Sequence, residues 1–273
     1  MVARDPHRFA NELDDGAIER IIARLESRAR DEVFSRLFDK YASYLEAAPG
    51  GQVLEVGCGT GATSRRLLRR PGFTGKVTGV DHGPPFIDAA GHFVSQEGTA
   101  ARATFMVGDA HDLHFADHTF DAVLAHTLIS HVTDPRPVLR EMARVTKPGG
   151  VVAVFDGDYS SLTYGHPDSG LGRTMGVALA TASFNNPRIM RDLPRLLLEL
   201  GLELQVAWGD AVAEIDQASY FRSFAETYVP FVEKAGLLPD GTAKECLSVQ
   251  HQMMDDGTFF ACCNYYTYIM GPK

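Results

Sequence analysis

Val53-Leu54-Glu55-Val56-Gly57-Cys58-Gly59-Thr60-Gly61 is a short apolar run carrying one acid that breaks into three alternate glycines. Such a run reads as a buried parallel strand, and the glycines after it read as a tight turn into the next helix. Glycine admits positive φ and lets a ligand come close where a Cβ would collide, so the turn suits a nucleotide-like ligand. Helical pattern resumes over 62–70, with Leu67 and Leu68 the apolar positions. Gly57, Gly59 and Ala62 also satisfy the G-x-G-x-x-G/A dinucleotide fingerprint, and Asp81 lies near the place of its ribose acid. Both readings predict a Rossmann-like start, and the turn alone leaves them open.

The 273 residues suit one α/β domain with decorations, and 45% hydrophobic with 22% charged residues is ordinary for a globular chain. A net charge of −9 repels phosphate backbones, so nucleic acid is not expected as a partner, and Arg65, Arg66, Arg69 and Arg70 read as a solvated helix face. Cys58, Cys246, Cys262 and Cys263 form no C-x-x-C pair, which fits a reducing compartment. No signal-peptide core stands near Met1, and no apolar run approaches the roughly 18 residues of a membrane span. The expectation is a cytoplasmic protein with no membrane span.

Residues 1 to 15 are polar until Asp14 and Asp15 offer a helix N-cap, and apolar residues then recur at helical spacing from Ile18 to Leu45. One or two amphipathic helices therefore precede the core, closed by Pro49, Gly50 and Gly51. Tyr41 and Tyr44 suit packing or binding, and Tyr41 joins the candidate substrate contacts. Further strands are predicted over 76–81, 103–110, 120–125 and 151–155, with a helix over 135–146. Alternation of this kind makes a doubly wound sheet. Asp81 and Asp109 fall at strand ends, where the crevice of a parallel sheet opens. Beyond Asp156 the alternation weakens: a helix is read over 190–200, a strand over 202–207, helical stretches over 220–235 and 243–254, and a closing strand over 259–269.

Glu55-Val56-Gly57-Cys58-Gly59-Thr60-Gly61, Val80-Asp81, Gly108-Asp109-Ala110, Phe120-Asp121-Ala122-Val123 and Arg144-Val145-Thr146-Lys147-Pro148-Gly149-Gly150, in this order and spacing, resemble the class I S-adenosylmethionine-dependent methyltransferases. The resemblance covers about 50–155 and is nearest the small-molecule branch similar to ubiquinone/menaquinone C-methyltransferases. It implies a Rossmann-like α/β fold, doubly wound, with seven strands in the order 3-2-1-4-5-7-6, the last antiparallel, plus N-terminal helices and a helical lid. It divides the chain into a helical cap over 1–49, a donor-binding core over 50–156, and substrate-binding insertions with the rest of the sheet over 157–273. The implied cofactor is S-adenosylmethionine, with S-adenosylhomocysteine as product.

By the same resemblance Gly57, Gly59 and Gly61 lie against the donor's amino acid part, with Cys58 between them. Asp81 binds the ribose hydroxyls, with His82 beside it, and Asp109 with Ala110 contacts adenine. Glu55 acts on the donor's ammonium, and Ala125 and His126 line the pocket near its methionine part. Rival readings are a fold that binds the donor without methylating, or an NAD-dependent dehydrogenase. The acid before the glycines and the R-V-x-K-P-G-G turn favour the methyl donor.

Displacement of a methyl group from a sulfonium demands no metal, and none is expected. Holding donor and acceptor in line is worth roughly 7–11 kcal/mol, against about 10²–10⁴-fold for a general base. His126 and His131, following the fourth strand, are the candidate catalytic bases. Candidate substrate contacts besides Tyr41 are Asp156, Tyr159, Tyr164, Arg188 and Tyr228. Arg188 and Arg191 would clamp an acidic group, and Tyr159, Tyr164, Tyr220, Phe221, Phe224 and Tyr228 form either aromatic binding surface or the lid's own core. The expected partner is a planar or apolar small molecule, met by a monomer or homodimer.

Overall fold

Side chains alternate across a strand, so the central strands divide their apolar residues between two faces of one sheet. The computed structural model describes residues 14–46 and 49–272. Its strands are β1 (Gln52–Val56), β2 (Lys76–Asp81), β3 (Ala103–Val107), β4 (Phe120–His126), β5 (Thr146–Tyr164), β6 (Leu202–Asp216) and β7 (Phe259–Pro272). They lie in the order β3-β2-β1-β4-β5-β7-β6, with β7 antiparallel to both neighbours, as the family resemblance implies. Val53, Ala122, Leu124, Ala153 and Phe155 pack in one core, and Leu54, Val56, Val123, Ala125, Val152 and Val154 in the other. Among the described residues the α-helices are α1 (Asp15–Arg30), α2 (Glu32–Leu45), α3 (Ala62–Leu68), α4 (Pro84–Gln96), α5 (Pro135–Val145), α6 (Ser169–Ser183), α7 (Ile189–Leu200), α8 (Tyr220–Ala235) and α9 (Thr242–Asp255). The second core rests on α5 and α7; α2, α6 and α8 cover the first. No helix among the described residues is long and apolar enough to cross a membrane.

Asp14 caps α1 by accepting from Ala17 N–H at 2.8 Å, and Asp31 caps α2 through Val33 N–H at 2.8 Å. Residues 1–13, read from sequence as a polar lead-in, lie outside the described residues. Of the arginines read as a solvated face, Arg69 is exposed, while Arg65 and Arg70 are drawn into ion pairs that tie helices together. Arg65 is 4% exposed and pairs with Glu26 and Glu97, tying α3 to α1 and α4, while Arg70 reaches Glu46 and Asp39 of the α2 segment. Acids placed far away in sequence made these partners invisible to a local reading.

Two strands run longer than their composition predicts. β5 continues past Phe155 because β7 keeps pairing with it, Asp156 against Tyr266 and Gly157 against Tyr265, before a bulge between Asp158 and Thr163. β6 extends to Asp216 on the same partner. Glycine, serine and aspartate here lower strand propensity, but a non-local ladder overrides it.

The glycine turn is fixed by sterics. Gly57 has φ +70°, and a Cβ there would lie 2.5 Å from Leu128 Cδ1. Left-handed backbone costs an L-residue about 1–2 kcal/mol and overpacking about 1–3. Gly57→Ala should therefore lose roughly 2–5 kcal/mol in chemical denaturation. Gly91→Ala in α4, where a Cβ meets nothing within 4 Å, should be neutral or slightly stabilising, and equal stability of the two variants would refute the steric reading.

Candidate functional site

The carboxyl ends of β1, β2 and β4 open on a cavity of about 860 Å³, within the range of small-molecule sites. At its floor Gly57 and Cys58 donate their N–H groups to Val80 O, locking the turn onto β2. Asp81, 8% exposed, accepts from Gly59 N–H through Oδ2 at 2.8 Å and from Gly83 N–H through Oδ1 at 3.0 Å. An ionised carboxylate offers about four acceptor positions, so each oxygen keeps room for a ligand hydroxyl. Burial pushes the Asp109 carboxyl up, but His111, through its backbone N–H at 2.9 Å and its ring Nδ1 at 2.8 Å, brings it below the usual range.

Glu55 sits under the turn at 2% exposure, its Oε2 accepting from Ser64 N–H at 2.9 Å and from the Ser64 hydroxyl. Burial pushes its carboxyl up to about 7, although the Ser64 bonds pull the other way. The folded protein thus holds this proton up to about pH 7, while an unfolded glutamate releases it near 4.5. Stability from this group is greatest at low pH, declines between 4.5 and 7, and stays flat above. At about 1.4 kcal/mol per pH unit the decline is on the order of 3 kcal/mol. Denaturation of wild type against Glu55→Gln from pH 5 to 7.5 should show that difference narrowing as pH rises; a constant difference would sink the assignment.

His126 ends β4 and stacks on Phe155 with ring centres 4.7 Å apart. Its Nδ1 lies 2.5 Å from the Tyr41 hydroxyl. Burial first, with the Arg28 charge second, keeps the imidazole well below its ordinary value, so it is neutral. Burial likewise holds Tyr41 well above its ordinary value, so it keeps its proton. His131 follows on the β4–α5 loop, its ring 4.8 Å from that of Phe184. Asp156, fully buried, pins that loop by accepting from Ser130 N–H at 3.0 Å and Ser130 Oγ–H at 3.1 Å.

Twelve of the sequence candidates line the cavity: Glu55, Gly57, Cys58, Gly59, Asp81, His82, Asp109, Ala110, His126, His131, Tyr159 and Tyr228. The others are placed elsewhere. Gly61 caps α3 against Phe105, Ala125 is sealed inside the sheet, and Tyr41 is buried behind His126. Tyr164 donates its hydroxyl to Phe221 O at 3.0 Å within the core, and Asp156 spends its oxygens on Ser130 and Gly157. Arg188 is exposed at the start of α7, and Arg191 pairs with Asp158 at 2.6 Å, so the expected clamp does not face the cavity. Arg24, Arg28, Leu128 and Phe184, none singled out from sequence, do line it. Packing of α1 against α2, α3, α4 and α8 brings the two arginines there, and local pattern carries no sign of it.

A family model described as a methyltransferase domain matches residues 54–154, spanning the glycine turn, Asp81, Asp109 and His126. Residues 54–154 are a methyltransferase domain. The chain is 36% identical over 125 residues to methyltransferase GfsG of Streptomyces halstedii, covering 46% of this chain and 44% of that protein. It is 35% identical over 133 residues to a sterol 24-C-methyltransferase of Gibberella zeae, covering 47% of this chain and 34% of that one. The matched part thus spans less than half the length of either relative. The crystal structure of the cyclase SpnF superposes with a TM-score of 0.59 at 20% identity, over 89% of this chain and 84% of that one, a likeness of fold. Around the methyltransferase domain, α1 and α2 close one side of the cavity, and Tyr159, Phe184 and Tyr228 close another.

Proposed function

We propose that the protein transfers a methyl group from S-adenosylmethionine to a small-molecule acceptor by in-line displacement. The observation that carries this reading is Asp81, buried at the end of β2 beside a glycine turn, with both oxygens fixed by backbone N–H groups and still able to accept. Two adjacent ribose hydroxyls match that carboxylate, and the turn of Gly57 and Gly59, which lines the same cavity, would hold the amino acid part of the donor. Glu55 faces the same cavity and would answer the donor's ammonium. Asp109 and Ala110 would meet adenine.

Catalysis in this reading is mainly positional. The chain excludes water with α1 and the aromatic wall, and holds the acceptor in line with the sulfonium. His126, held neutral and backed by Tyr41, would orient the acceptor, and His131 would take a proton where the acceptor gives one up. That geranyl diphosphate and sterol methyltransferases stand among the similar proteins supports a small, largely apolar acceptor.

Because a fold does not dictate its reaction, and a cyclase shares this one, donor binding without methylation is the second reading. Incubating the protein with methyl-labelled donor and a small-molecule extract separates them. Label appearing in a product supports methyl transfer; donor binding with persistent absence of labelled product favours the second reading.

A further inference from the structure

Arg24 lies on α1 at 5% exposure and lines the cavity. Its guanidinium carbon is 5.4, 4.9 and 5.1 Å from the ring centres of Tyr220, Phe224 and Tyr228. Nη2 reaches the Tyr220 hydroxyl at 3.5 Å, and Nε has no acceptor. Among the described residues no carboxylate pairs with it. Arg65 shows the contrast: equally buried, it is matched by both Glu26 and Glu97. Arg28 stands one helical turn from Arg24, on the same face of α1, and lines the same cavity, also without a carboxylate partner among the described residues.

A buried charge is costly unless an opposite charge or hydrogen bonds meet it, and ring faces satisfy a guanidinium only in part. Arg24 keeps most of its five N–H donors unused, in the fork that fits carboxylate and phosphate oxygens. A chain of net charge −9 repels anions in general, so this positive spot beside the donor site is a local exception. Next to it Tyr159 and Phe184 stack 3.5 Å apart at 9°, a flat wall continued by Tyr228.

We propose that the acceptor carries an anionic oxygen group, a carboxylate or a phosphate, that docks on Arg24 and Arg28 while its planar or apolar body lies on the wall of Tyr159, Phe184 and Tyr228. This rests on reading the cavity as a joint donor and acceptor site. The anion replaces the missing counter-charge and orients the molecule.

The test is calorimetric titration of the full chain with benzoate, cinnamate and phenyl phosphate, and with the neutral benzamide and cinnamamide, in the presence and absence of S-adenosylhomocysteine. The anions should bind roughly tenfold or more tighter than the amides, alongside S-adenosylhomocysteine. Arg24→Met should reduce that preference to less than about threefold, and Arg24→Lys, keeping charge without the fork, should fall between. Arg28→Met, a change at a less buried site, should weaken the anions alone. Benzoate against phenyl phosphate shows which group the site favours. Equal binding of anions and amides, binding of neither, or an unchanged preference in the variants overturns the proposal. So do anions that compete with S-adenosylhomocysteine, since the arginines would then hold the donor's own carboxylate. Failure of the wild type to bind S-adenosylhomocysteine refutes the donor reading instead, and the titrations without it still report on the arginines.

Discussion

Asp81→Ala is expected to weaken binding of S-adenosylhomocysteine by roughly two orders of magnitude or more in calorimetry. The ribose loses two hydrogen bonds to a carboxylate, each worth about 1.5–3 kcal/mol, and each 1.4 kcal/mol is tenfold in affinity. The same carboxylate holds Gly59 and Gly83 N–H, so its removal also loosens the turn against which the donor lies. Asp81→Asn keeps one oxygen and should lose less. Unchanged affinity in Asp81→Ala would contradict the ribose role.

The second large effect is expected at Asp156, which touches no ligand in this reading. Three donors converge on it: Ser130 N–H, Ser130 Oγ–H and Gly157 N–H. Leaving buried donors unsatisfied costs about 1–3 kcal/mol each, so Asp156→Ala should lose roughly 3 kcal/mol or more of stability. Because Ser130 belongs to the loop that brings Thr127, Leu128 and His131 to the cavity, methyl transfer should also fall about tenfold or more under conditions where the variant is folded. Denaturation and single-turnover assays check the two parts, and full activity in the folded variant would remove Asp156 from the positioning of that loop.

The part of this protein legible in its sequence is the part built from local rules. A strand followed by alternate glycines, an acid closing β2 and another after β3, and a helix of period 3.6 over α5 each announce themselves within a dozen residues. The cofactor-facing candidates Glu55, Gly57, Gly59, Asp81 and Asp109 accordingly fall around one cavity. What sequence did not show depends on distant pairing. β5 and β6 lengthen because each finds a ladder on β7, and Arg65 is buried because Glu26 and Glu97 come to meet it. Asp156 and Tyr164 carry chemistry-capable groups, but their hydrogen bonds are consumed inside the fold. Arg24 carries no signal in the sequence, because the three rings laid against it come from the distant helix α8.

The most direct measurement is titration of the unaltered protein with S-adenosylhomocysteine and, separately, with NAD, followed by heat in a calorimeter. The expected result is saturable binding of S-adenosylhomocysteine at one site per chain and none of NAD. Binding of NAD alone, or no binding of either, would contradict the donor pocket built on Asp81 and the glycine turn.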